Sequence, residues 1–465
     1  MRHYILKSTY LLLTLFVGSH VAIAQSFLRD AETEAFFREI SDPIFIAADL
    51  NPTSVNMYLL AAKDMQAFVT GGQNIFIHSG LIIASDDVNQ LLGVIAHETA
   101  HIANGNSVTR TDAAKIAGNT SILSMVLGAA AILAGSPDAG MGLFMAGQSV
   151  ARGQFFAHTR VEESTADQSG AAYLERTGTS GQGLSQFFEK LRHQEILAQV
   201  RQDPYVRTHP LNSQRILALQ KTVATSPYFH TPPNPVFNEK FNRIKAKLIG
   251  YLYEPSRTLK LYPLTDKSTA ARYARVYAYH KALEWDLALA EADALIAVEP
   301  DNGYFYEIKG QILFENGRVR DALPVFKKAV EFAPNQPLVS TALGQAMVSL
   351  EDDQMMKDAI PILEHATRVD SGNSFAWFNL AKAYSWSGQE AEASLATAER
   401  FYSIGAAPQA MQHARHAMSL LATGTPQWLR AQDIFFVSQE AVERYERNQR
   451  RRRASGLTFQ ATSTQ

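Results

Sequence analysis

His97, Glu98 and His101 stand in the order His-Glu-Thr-Ala-His, a spacing that can bind and use a metal ion. On a helix, two histidines four residues apart leave the same face one turn apart and offer two nitrogens to one Zn²⁺. Glu98, next to the first of them, then reaches a water activated by the metal rather than the metal itself. A catalytic zinc takes a third protein ligand and keeps one position open. The downstream run Arg160-Val161-Glu162-Glu163-Ser164-Thr165-Ala166-Asp167 supplies a candidate. Glu163 and Asp167 are again four apart, so a second helix can aim Glu163 at the metal. Asp167, one turn on, can hold a ligating histidine by its other ring N–H. Glu162 faces elsewhere on that helix, and His158, a rival ligand, precedes the helical pattern. A solvated acidic helix face is the alternative for this cluster.

The elements that must position these groups are legible around them. Apolar residues recur at helical spacing through Val88–Ala103, with Ser85 and Asp86 as a capping start and Asn104-Gly105 as a stop. Strand-like runs at Val55–Leu60 and Asn74–Ile77 precede that helix. The latter reads as the strand to which an extended substrate could add itself. Further on lies Thr208-His209-Pro210. His209 is either an ordinary loop histidine beside a turn-forming proline, a fourth metal ligand at rest, or a stabiliser of the developing oxyanion.

The zinc motif followed some sixty residues later by Arg160, Glu163, Ala166 and Asp167 resembles the HtpX and CAAX-prenyl-protease class of zinc peptidases. The glycine-bearing segment from Phe68 to Phe76, with Gly80-Leu81, and Thr208-His209-Pro210 with Arg215 match the same class. The closest likeness is to its soluble BepA-type branch, which carries C-terminal tetratricopeptide repeats; it spans roughly residues 30 to 445. Ala100, Asn106 and Gln66 depart from the usual pattern, but none removes a ligand or the base. The resemblance implies a zincin-like α+β domain holding one Zn²⁺ on His97, His101 and Glu163, with Glu98 as general base and Asp167 and Arg160 behind the ligands. It also implies a periplasmic role in the quality control of outer-membrane proteins, with the repeats docking on the barrel-assembly machinery.

The rest of the chain fits that frame. At 465 residues it exceeds one core and divides into several domains. Residues 1–24 carry Arg2, Lys7, an apolar stretch and Ala22-Ile23-Ala24, which read as an export signal cleaved after Ala24. Its removal takes the formal charge from −2 to −4, and near-neutrality gives no reason to expect a nucleic-acid partner. With zero cysteines there are no disulfides and no lipid anchor at the cleavage site. Residues 25–220 hold the metal motifs, and 221–268 are proline-rich and read as an irregular connector. From 269 to 445 the pattern is helical with a period of 34, marked by Pro300 and Pro334. This is an all-α tetratricopeptide superhelix with a concave, partner-binding face. Residues 446–465 read as a basic disordered tail able to touch anionic lipid. Between the two metal motifs, residues 116–150 form an apolar stretch. It is a buried helical hairpin, a membrane-surface or cleft-covering element, or a spanning hairpin, although its longest run is short for a span.

The reading is therefore a zinc endopeptidase acting on unfolded or misfolded proteins. The alternative is a chaperone or adaptor that works through its repeats with proteolysis minor.

Overall fold

The computed structural model describes residues 27–70, 72–105, 145, 159–198, 209 and 211–461. The expected export signal and nearly all of 116–150 lie outside them, as do Thr208, Pro210 and His158. No helix among the described residues is long and apolar enough to cross a membrane.

A four-stranded sheet and a set of helices build the first domain. Strands β1 (Phe27–Leu28), β2 (Asn56–Leu60), β3 (Ala67–Thr70) and β4 (Asn74–His78) lie in the order β1-β2-β4-β3. β4 is thus internal, parallel to β2 and antiparallel to β3. Its backbone groups are used on both sides, so β4 cannot take up a substrate strand as expected. Among the described residues, β3 pairs only with β4, and it is the edge strand in contact with the metal-motif helix.

Helix α1 (Ala31–Ala47) is capped by Asp30, whose side chain accepts from Thr33 N. α2 (Ser79–Ala84) leads into α3 (Val88–Ala103), which carries the metal motif. Its cap is Asp87, accepting from Gln90 N, rather than Ser85 or Asp86. Every residue of α3 from Val88 to His101 is buried, so its histidines face protein, not solvent. Around it lie α4 (residues 159–176), α5 (Gln182–Ala198) and α6 (Ser213–Ala224). Gly170 marks where α4 crosses α3, since a Cβ there would come within 3.1 Å of the His97 nitrogen.

The expected irregular connector is helical. Its prolines start helices instead of breaking them: α7 (Pro235–Leu252) and α8 (Pro255–Leu261) each place one at the first turn. Phe241, Ile244 and Leu248 of α7 belong to the same core as Leu91, Ile95 and Phe188, so α7 is part of the first domain's packing.

Five helix pairs follow: α9 (Thr269–Lys281) with α10 (Trp285–Val298), α11 (Gly303–Glu315) with α12 (Val319–Phe332), α13 (Pro337–Val348) with α14 (Asp353–Val369), α15 (Ser374–Trp386) with α16 (Glu390–Ser403), and α17 (Ala407–Leu420) with α18 (Pro426–Ala461). Gly310 fills a position where a Cβ would meet the Phe326 ring at 2.7 Å, which lets the paired helices close up. α18 continues to Ala461, so the basic stretch expected to be disordered is helical. Arg444–Glu440, Arg447–Glu443 and Arg450–Glu446 pairs, each one turn apart, support it.

A buried charge cluster on α1 and α7 lies where the first domain meets the repeats, and Arg243 Nη1 reaches Glu299 Oε2 of the first repeat at 3.3 Å. Lys247 Nζ of α7 lies 2.5 Å from Asp30 Oδ2 and 3.4 Å from Glu32 Oε2, while Arg243 Nε lies 2.6 Å from Glu32 Oε1. Glu307 of α11 faces this group. Burial pushes its carboxyl up to about 8, with Lys247 opposing and Asp30, Glu32 and Glu34 adding to the rise. Between the ordinary glutamate value and about 8, the folded protein is therefore expected to hold a proton on Glu307 that the unfolded chain has released. Its favourable contribution is complete below the ordinary glutamate range of about 4.3 and is lost as pH rises through about 8. Glu307→Gln, which mimics the protonated form, is expected to match the wild-type melting temperature near pH 5 and exceed it at pH 9. Melting curves whose difference does not change with pH would refute this.

Candidate metal centre

α3, α4 and the segment before α6 bring His97, His101, Glu163 and His209 together, all buried. One ligand atom from each lies within 4.8 Å of all the others. His97 Nε2 is 3.2 Å from His101 Nε2 and 3.4 Å from His209 Nδ1. Glu163 Oε2 is 3.4 Å from His97 Nε2, and Glu163 Oε1 is 3.5 Å from His101 Nε2. His209 Nδ1 lies 3.1 and 3.0 Å from the two Glu163 oxygens. A tetrahedron with bonds of 2.0–2.1 Å has edges of about 3.3 Å; these five separations are close to that, and the sixth, His101 to His209, lies within 4.8 Å, so the group could hold one metal ion.

Glu98 lies beside this group and is not one of the four. Both its carboxylate oxygens are buried without a hydrogen-bond partner, and its Oε1 is 3.6 Å from His209 Nε2. Burying an ionisable group this way costs stability, and a catalytic role is one reason for such a group to be kept.

Behind the four stands a second pair of residues. Asp167 Oδ1 is 3.1 Å from His97 Nδ1, which turns Nε2 of that ring towards the cluster. Arg215 donates to both Asp167 oxygens at 2.8 Å, and its Nη1 lies 3.3 Å from Glu163 Oε2. Its guanidinium sits 5.5 Å over the Phe188 ring. Arg160, expected in this role, is exposed at the start of α4. On α4 it lies about 60° round from Glu163. The role of Arg215 was not read from the sequence. The available signals were its place in the Thr208-His209-Pro210 match and its position beside Ile216, with Leu219 and Val223, on the buried face of α6.

The electrostatics favour a cation. Burial alone would depress His97, yet Asp167 and Glu163 outweigh it and raise the imidazole to about 9. Burial alone would raise Glu163, yet His209, His97 and His101 hold it well below the ordinary carboxylate range. Both shifts record a pocket in which carboxylates and imidazoles stabilise each other's charged forms, a field that a divalent ion can take over by displacing protons.

Residues 28–223 match the family described as Peptidase family M48. Over 388 residues the chain is 26% identical to the "Beta-barrel assembly-enhancing protease" of Escherichia coli strain K12, covering 81% of this chain and 77% of that protein. The protein of the same name from Yersinia pestis is 23% identical, with 86% and 84% covered. "Metalloprotease LoiP" of Escherichia coli strain K12 is 29% identical over 36% of this chain and 62% of its own length. Among solved structures, YrrB, "a TPR protein with an unusual peptide-binding site", is 19% identical and covers 38% of this chain and 90% of its own, with a TM-score of 0.31.

Proposed function

We propose that this protein is a zinc endopeptidase of the periplasm that cleaves unfolded or misfolded outer-membrane proteins, and that its repeats recruit it to the machinery assembling them. The observation carrying the reading is the clustering of four buried ligand atoms within 4.8 Å of one another, with the Glu98 carboxylate, which has no hydrogen-bond partner among the described residues, beside them. His97, His101 and Glu163 would hold the ion and His209 would stand at the fourth corner. Zinc bound there would bring the pKa of a water towards about 7 and polarise a carbonyl.

The chain's own residues do the rest. Glu98 accepts the proton and passes it to the leaving amine. Asp167 fixes the His97 ring, and Arg215 fixes Asp167 and Glu163 together. The β3 edge, Ala67–Thr70, is where an extended substrate can add as a strand. Pairing of that kind reads backbone more than side chains, which suits unfolded clients. The relatives' printed name and the signal-like residues 1–24 support the cellular setting.

The purified protein is expected to hold about one zinc per chain, to cleave casein, and to lose and regain that activity with chelator and zinc. His97→Ala, His101→Ala and Glu163→Ala should each lower zinc occupancy. Arg215→Met, which leaves two buried carboxylates without their cation, should weaken zinc binding about 10- to 100-fold and cost about 3–5 kcal/mol of stability. Metal titration and thermal melts of the four variants test this. Full occupancy in Glu163→Ala would remove it from the ligand set.

A further inference from the structure

The first helix of each repeat begins at a cap: Ser268, Asn302, Gln336, Asn373 and Ala406. Counting from these caps aligns the faces of the repeats. In α9 the fifth, ninth and thirteenth positions are Tyr273, Tyr277 and Lys281, and α7 covers all three. Lys247 Nζ lies 5.2 Å over the Tyr273 ring and 5.7 Å over Tyr277, Tyr251 lies 6.3 Å from Tyr277, and Lys281 donates to the Tyr251 and Tyr253 carbonyls. In α11 the second and fifth positions, Tyr304 and Glu307, face Asp30 and Glu32. In α13 the second position, Leu338, packs in one cluster with Ala31. Arg29, just ahead of α1, ends the coverage with a 2.7 Å pair to Asp370.

α15 comes next and carries the same positions as Phe375, Phe378, Lys382 and Trp386. The three aromatic residues are 44%, 41% and 45% exposed. The face that holds the peptidase domain's own helices in the first three repeats thus continues, open and aromatic, into the fourth. Arg400 lies 4.6 Å over the Phe378 ring, Trp386 Nε1 donates to Asp353 Oδ1, and Arg415, at the ninth position of α17, lies 5.1 Å over the Phe435 ring of α18. Neither has a carboxylate partner among the described residues, whereas Lys382 is paired with Glu351.

We propose that this stretch of α15, with Arg400 and Arg415, is the docking site for an amphipathic helix of a partner protein, apolar on one side and acidic on its flank. Continuity with the α7 interface argues for a helix, because α7 is one and lies along the same register. The unpaired guanidiniums argue for carboxylates, and aromatic and arginine side chains are the groups that dominate such contacts. The inference deepens the reading that the repeats recruit a partner, and rests on it.

The test uses the full-length protein and two synthetic helical peptides, each with a leucine and phenylalanine stripe, one flanked by glutamates and the other by lysines. Fluorescence anisotropy should show saturable binding of the glutamate peptide, weakened at least tenfold by Phe378→Ala and by Arg400→Gln. Leu264→Ala, an exposed residue elsewhere on the chain, should leave binding intact. Casein cleavage should be the same in all these variants, so a loss confined to peptide binding does not touch the peptidase reading. Binding that survives both substitutions, or prefers the lysine peptide, overturns this placement while leaving recruitment elsewhere on the repeats standing. Absence of saturable binding overturns both. Concentration-dependent dimerisation lost in Phe378→Ala would assign the patch to a second copy and also overturn the proposal.

Discussion

Glu98→Gln is expected to keep its zinc and lose cleavage by about 10²- to 10⁴-fold, the usual contribution of a positioned general base. The substitution preserves shape and removes only the ability to take a proton. Glu98 is outside the four-atom ligand set, so occupancy should not fall. Stability should hold or rise, because a buried carboxylate without a hydrogen-bond partner becomes a neutral amide. Zinc content, casein turnover and melting temperature measured on one preparation check all three. Cleavage at the wild-type rate would remove Glu98 from the mechanism, and loss of zinc would make it a ligand instead. The same variant separates the two functional readings in cells. If it rescues the deletion phenotype, binding by the repeats is the dominant role and proteolysis is secondary.

The parts of the site carried by single helices were legible in the sequence. His97 with His101, and Glu163 with Asp167, are one turn apart, and helical geometry alone puts each pair on a common face. Contacts between elements were not legible in this way. Nothing in the pattern of Asn74–His78 says that β3 will shield it, because both runs are apolar and strand order is fixed by long-range pairing. Arg215 reaches Asp167 across 48 residues of sequence, while the nearer Arg160 ends up exposed. The proline-rich stretch from 227 to 255 misled for a local reason. Pro235 and Pro255 are helix starters, and only the apolar face of Phe241, Ile244 and Leu248 behind them shows it. The repeats announced themselves through their period, but the contacts of α1 and α7 with the first helices of the repeats depend on how two domains meet, which no periodicity encodes.

His209→Ala is expected to raise basal proteolysis. Its Nδ1 takes the fourth corner of the ligand set, within 3.0–3.4 Å of Glu163 and His97, and its Nε2 points at Glu98, the base. A site closed by four protein ligands is the structural kind of zinc site, whereas catalysis needs one position open. On the proposed reading, His209 in this place would hold the peptidase at rest, a safeguard for an enzyme working among unfolded chains. If closure is favoured by about 1.4 kcal/mol, roughly a tenth of molecules are open, and removing the imidazole should increase turnover about tenfold at saturating zinc. Zinc affinity should fall at the same time, since one of four ligands is gone. The competing role, hydrogen-bonding to the oxyanion during turnover, has the opposite sign: kcat would fall by about 10²- to 10³-fold with zinc affinity nearly unchanged. Casein turnover and zinc titration of the one variant therefore distinguish the two. Wild-type values in both measurements would reduce His209 to a loop histidine that happens to face the site.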